Sequence, residues 1–229
     1  MQKLRKSSCV LLIVLSIFIL FGCNNKNDAY NFKKEYESLN NKKDSNGKII
    51  REIKIGRNNP FIYKTADDII ELINKKETFI VYFGFASCPW CRSILPTFIE
   101  ALKDNGIETV YYVDIKDIRD EYELDENNKP ILTKEASEGY DRLLELFDSN
   151  LSDYTIKDVK IGKKRIYAPN IVSIIYGKVI SIETGISSLQ TDGYMELTDE
   201  MIDETYGIFD DLIRPVSEVL NSCDINTGC

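Results

Sequence analysis

A chain of 229 residues, 43% hydrophobic and 29% charged, has the size and composition of one folded domain with a substantial core and some elaboration. Its 29 Lys and Arg against 37 Asp and Glu give a formal charge of −8, which argues against a nucleic-acid partner, since that would need a basic surface. Histidine is absent, which excludes a histidine general base, histidine metal ligands and every Ser–His or Cys–His catalytic pair.

Residues 1–22 read as a signal peptide rather than as part of the fold. Lys3, Arg5 and Lys6 form a basic start, and Val10 to Phe21 is an apolar run, broken only by Ser16, that is short for a membrane span. It ends in Leu20-Phe21-Gly22-Cys23, which resembles the bacterial lipobox, with the polar stretch Asn24 to Asp28 directly after it. That resemblance implies cleavage before Cys23, lipidation of its thiol and a place on the extracytoplasmic face of the cell membrane; an uncleaved signal anchor is the other reading. Cleavage removes three cations and no anion, so the acidic body would be held by its lipid and not by charge. Of the six cysteines, Cys9 leaves with the signal and Cys23 takes lipid. The pairs Cys88/Cys91 and Cys223/Cys229 remain, an even number suited to a compartment where disulfides persist.

Residues 23–48 are rich in Asn, Lys and Ser and read as a flexible tether with a short helix at Phe32 to Leu39. Ile49, Ile53 and Ile55 suggest a strand at the start of a domain spanning 49–195. Strand and helix then alternate. Phe61-Ile62-Tyr63 is a short strand, Thr65 caps a helix with Asp67 and Asp68 in its first turn, and Phe79 to Phe85 has the continuous apolar character of a strand buried on both faces. A helix runs from the Cys88–Cys91 pair to Asn105-Gly106, followed by a buried strand over Glu108 to Asp114. Residues 115–165 are acidic and polar with a helix near Glu135 to Phe147, and read as an inserted helical segment. Asn170 to Tyr176 and Val179 to Ile182 flank a tight turn at Gly177-Lys178 as a hairpin. Residues 196–229 form a C-terminal extension, a helix from Thr198 to about Leu220 bent at Pro215 and a tail carrying Cys223 and Cys229.

The chemistry concentrates in Ser87-Cys88-Pro89-Trp90-Cys91-Arg92. A strand ending before Cys88 and a helix starting there put its sulfur at a helix N-terminus, where unpaired N–H groups and the helix dipole favour thiolate. Pro89 fits the first helical turn. Cys88 is then the exposed nucleophile, and Cys91, a turn deeper, resolves the mixed disulfide. Strand, C-P-W-C, helix with Pro96, strand, and a second proline before a hairpin together resemble the thioredoxin-like thiol–disulfide oxidoreductases over residues 61–185. The resemblance implies an α/β, three-layer fold with a central mixed sheet. It also implies a cis peptide at Pro169, with Ala168 offering its backbone to an incoming chain. Pro89 and Trp90, the latter exposed between the two cysteines, would touch the same substrate.

The sequence also departs from that family. Tyr82 stands where thioredoxins carry a buried acid, and Ser87 where they carry Trp. The proton acceptor for Cys91 is therefore unassigned, with Glu100, Asp114 and solvent as options. Four thiolates could instead bind zinc, but the six-residue step from Cys223 to Cys229 and the buried strand before Cys88 argue against it. A purely structural Cys88–Cys91 bridge closes too small a loop to stabilise much. Cys223 and Cys229 read as a disulfide stapling the tail, or as a second redox pair. The expectation is an enzyme with no cofactor that exchanges disulfides with exported proteins, with some preference for disulfide formation or isomerisation, served by a redox partner in or outside the membrane. The competing reading is a docking lipoprotein that assists secretion of a disulfide-containing peptide.

Overall fold

The computed structural model describes residues 27–226; the expected signal peptide over residues 1–22, with Cys9, and also Cys23 and Cys229 lie outside them. The centre is a five-stranded sheet in the order β1 (Phe61–Tyr63), β3 (Val110–Asp114), β2 (Phe79–Gly84), β8 (Asn170–Ile175), β9 (Lys178–Glu183). The first three strands are parallel, and β8 and β9 run antiparallel to their neighbours. Alternation along β2 explains its unbroken apolar character. Ile80 and Tyr82 enter one core with α3 (Pro89–Asp104) and α5 (Asp199–Asn226), while Phe79, Val81 and Phe83 enter another with α2 (Ala66–Asn74) and α4 (Glu138–Phe147). Helices on both faces of a mixed sheet in this order make a thioredoxin-like fold.

Local signals set the helix starts. Thr65 and Asp68 form a reciprocal capping box on α2, Ser137 caps α4, and Thr198 accepts from the N–H of Met201 at the start of α5. α5 continues through Pro215 to Asn226 and packs Phe209 on Phe98 of α3, ring centres 4.7 Å apart. Ser217 fastens it by donating to the carbonyl of Asn105 at 2.6 Å. The β8–β9 turn is Tyr176-Gly177 rather than Gly177-Lys178, with both residues at positive φ. Gly177 is required there, since a Cβ would fall 2.3 Å from the carbonyl oxygen of Ile73.

The N-terminal segment corrects the tether reading. Residues 27–37 form a helix, α1, whose Phe32, Glu35 and Tyr36 lie on one face at helical spacing, with Phe32 and Tyr36 fully buried. Phe32 stacks on Phe61, and Tyr36 closes over Tyr112. Burying these aromatics is what brings a polar, Asn-rich stretch into the fold. The strand expected at Ile49 to Ile55 is absent. Only an isolated bridge joins Lys43 to Ile49, and Ile49 itself is 71% exposed. Ile53 and Ile55 are buried, but side chains take the backbone groups that a strand would have offered. Asn40 bonds both the N–H and the carbonyl of Ile53, Glu37 accepts from the N–H of Ile55, and Lys33 donates to its carbonyl.

The 115–165 insert holds the expected helix and, in addition, two hairpins: β4 (Glu121–Leu124) with β5 (Pro130–Lys134), and β6 (Asp153–Ile156) with β7 (Val159–Lys164). Tyr122 and Tyr154 meet edge-to-face between them at 5.8 Å. Buried Asp120 holds them to the domain through Arg165 at 3.2 Å and Lys163 at 3.0 Å.

Candidate functional site

β2 ends at Gly84, and after a three-residue loop Cys88 becomes the N-cap of α3, with Pro89 in the first turn. The two cysteines are reduced thiols. The Cys88 sulfur accepts from the N–H of Cys91 at 3.3 Å and donates to the carbonyl of Ala168 at 3.1 Å. Sheet register brings that carbonyl there. Phe83 pairs with Asn170, so the residues before β8 lie beside the loop that follows β2. The Ala168–Pro169 peptide is cis. Its loop is fixed by Asn170, whose side chain accepts from the N–H of Tyr167, and by Tyr140 of α4, whose hydroxyl bonds both the N–H and the carbonyl of Ile166.

Two expectations need correcting. Cys88 is 3% exposed rather than open to solvent, and Trp90 is half-buried against the α3 core instead of standing free. The cause is a cover that the sequence did not advertise. Gly193 packs on the C-P-W-C turn so closely that a Cβ would lie 2.9 Å from that of Pro89 and 3.1 Å from the nitrogen of Trp90. The covering loop is anchored to the N-terminal segment: Lys48 pairs with Asp192 at 3.3 Å, Tyr194 donates to Asp44, and Arg51 donates to the carbonyl of Met195. Pro89 and Ala168 are half-buried and Pro169 is buried, so an incoming chain would meet the first two at the edge of this cover.

Electrostatics separate the two thiols. Burial opposes ionisation of Cys88, but hydrogen bonds from the Cys91 thiol and from the N–H groups of Cys91 and Trp90, with the Arg119 charge, outweigh it and hold Cys88 below the ordinary thiol range. The Arg119 guanidinium lies over the Phe85 ring at 4.9 Å, with its Nε buried and without a partner. Cys91 is fully buried; burial first, then the neighbouring Cys88, push its thiol well above the ordinary range. One member is poised to ionise and the other is not.

Around and behind Cys91 the structure shows bonds that the sequence reading did not anticipate. Arg92 is fully buried and spends its guanidinium on oxygens: Nε on the Arg51 carbonyl at 2.6 Å, Nη1 on those of Tyr36 and Ala86 at 2.9 and 3.1 Å, and Nη2 on Asn40 Oδ1 at 2.7 Å. It thereby joins α1, the 51–55 segment and the dithiol loop. Tyr82 lies in the same buried cluster as Cys91, with its hydroxyl 2.9 Å from that of Tyr36. Glu35 accepts from Tyr112 at 3.1 Å and from Tyr63. Of the acceptors the sequence offered, Glu100 is exposed on α3, and Asp114 is exposed and spends an oxygen on the N–H of Lys116. Cys223 lies in the last turns of α5.

Fold and site together define a thioredoxin-like domain carrying a reduced, electrostatically asymmetric cysteine pair at a helix N-terminus. No family model and no curated protein matches the sequence. Among solved structures the chain is similar to thioredoxin O2 from Arabidopsis thaliana in its oxidized state, at 15% identity and a TM-score of 0.33, over 67% of this chain and 95% of that one. At those values the match carries no argument about activity.

Proposed function

We propose that this chain is a thiol–disulfide oxidoreductase that exchanges disulfides with exported proteins, held by lipid on Cys23 at the extracytoplasmic face of the cell membrane. The observation that carries the chemistry is the asymmetry of the pair, with Cys88 as helix cap accepting from the N–H of Cys91 and donating to the carbonyl of Ala168, and Cys91 fully buried beneath it. The Cys88 thiolate attacks one sulfur of a substrate disulfide and the other sulfur leaves as a thiolate. Cys91, deprotonated, then attacks Cys88, forms the Cys88–Cys91 bond and releases the second substrate thiolate, so two electrons pass from the dithiol to the substrate. Run backwards, the same steps oxidise a substrate dithiol. Stabilising the Cys88 thiolate favours the dithiol form of the site, which supports the oxidising direction. The carbonyl of Ala168, now bonded to Cys88, is free for a substrate N–H once that sulfur is engaged.

The Cys91→Ser variant tests this reading. Mixed with a disulfide-containing test protein, it should accumulate a covalent complex through Cys88 that the wild type does not retain. Absence of any such adduct overturns the reading. A second reading, a docking lipoprotein with little turnover, is favoured by the cover over Cys88 and by Ile131 and Leu132 exposed on the β4–β5 hairpin. Full cellular function in Cys88→Ala would select it.

A further inference from the structure

The exchange proposed above needs a base for Cys91, and the buried cluster that holds Cys91 also holds a row of hydroxyls. Tyr82 and Tyr112 are register partners on β2 and β3, so the sheet sets them side by side on one face with rings stacked at 5.5 Å. α1 lays Glu35 and Tyr36 across both. Tyr82 shares one buried cluster with Cys91 at one end, Tyr82 and Tyr36 share a 2.9 Å hydrogen bond, the Tyr36 and Tyr112 rings meet edge-on with centres 6.2 Å apart, and Tyr112 donates to Glu35 at 3.1 Å. Tyr36, Tyr82 and Tyr112 are each fully buried, so nothing in the row is there by surface chance. Gly84 keeps space for it, since a Cβ at that position would fall 2.5 Å from the Tyr82 hydroxyl oxygen.

We propose that Tyr82, Tyr36 and Tyr112 form a proton relay that carries the Cys91 proton to Glu35, so that a carboxylate on the N-terminal helix serves the resolving step from a distance. The Cys91 thiol gives its proton to the Tyr82 oxygen, each tyrosine passes its own proton on, and Tyr112 delivers one to Glu35 Oε1. All three phenols end neutral, one proton has moved, and the electron pair stays on the Cys91 sulfur for attack on Cys88. On the return step Glu35 gives the proton back. Burial holds the three phenols protonated, first among the causes in each case, so they pass a proton and do not keep it. Burial also raises Glu35, against the hydrogen bonds from Tyr63 and Tyr112, and so makes it a stronger base than a surface carboxylate. The other charged or titratable groups facing this row are Tyr63 and Asp114 at the Glu35 end, Arg92 beside Tyr36 and Tyr82, and Cys88 beside Cys91. Tyr82 is the member of the row nearest the reacting sulfur in this reading; Tyr36, Tyr112 and Glu35 act through it.

The inference rests on the dithiol chemistry proposed above, and its test separates the two. Reduced protein is mixed with oxidised glutathione, and the release of the second glutathione, which is the Cys91 step, is followed across pH in wild type, Tyr82→Phe and Glu35→Gln. Both variants keep the shape of the native side chain. In each, the apparent pKa of the release should rise by about 1, which makes it about tenfold slower near neutrality, with rates converging at alkaline pH where Cys91 ionises unaided. Alkylation of Cys88 should be unchanged. Tyr36→Phe, interrupting the row further from the dithiol, should shift the profile in the same direction. An unchanged pH profile, or equal slowing at every pH, overturns the relay. Wild type that forms no mixed disulfide at all overturns the proposed function instead.

Discussion

Arg92→Met will cost the fold about 3–5 kcal/mol, a large share of the roughly 5–15 kcal/mol that holds a domain together. The variant keeps the aliphatic stem but removes a fully buried guanidinium whose bonds run to the carbonyls of Arg51, Tyr36 and Ala86 and to the side chain of Asn40. Each oxygen left buried without a donor loses its solvation without compensation. Arg92→Lys should recover little, because an ammonium cannot span acceptors arranged for a planar fork. In urea unfolding the midpoint should fall with little change in slope, and amide exchange should quicken first over residues 27–56, the segment Arg92 ties to the dithiol loop. A loss below about 1 kcal/mol would show that aromatic packing alone docks that segment.

Cys88→Ala is the second large effect: disulfide exchange with glutathione should fall to the uncatalysed level, because no other described thiol is both a helix cap and held towards thiolate. The same substitution exposes a pH dependence. Cys88 in the folded, reduced protein lies below its unfolded value of about 8.5, so its ionisation contributes stability that is fully present above that pH and is lost as pH falls through the folded value. The stability difference between reduced wild type and Cys88→Ala should therefore shrink on acidification. A difference that grows on acidification would mean that burial dominates and the thiol is held neutral.

How much of this was legible in the sequence follows the range of each interaction. The dithiol, Pro96 and the proline before β8 are local patterns, and the β-branched and aromatic runs of β2 and β8 announce buried strands whatever they pack against. Arg92 carries no local signal of its role because its partners come from residues 36, 40, 51 and 86. Tyr82 read as a missing acid. The carboxylate that the structure brings nearby lies on α1, reached through hydroxyls contributed by three separate elements. Ile49 to Ile55 alternates like a strand, and only the side chains of Lys33, Glu37, Asn40 and Arg92 show why it does not pair. The insert hairpins carry exposed, charged strands such as Glu121–Leu124, which give no hydrophobic period to detect. One signal was available: Asp125 accepts from the N–H groups of Asn127 and Lys129, an Asx turn readable in Asp125-Glu126-Asn127-Asn128.

The central claim is that Cys88 and Cys91 form and break a disulfide reversibly, and equilibrium with glutathione tests it most directly. Protein held in buffers of graded reduced-to-oxidised glutathione ratio, then acid-quenched and weighed after alkylation, should pass through a single two-electron transition assigned to Cys88–Cys91. It should fall towards the oxidising end of the roughly −270 to −120 mV spanned by such pairs. A pair that stays reduced at every ratio, or a bond that no ratio opens, would contradict the account.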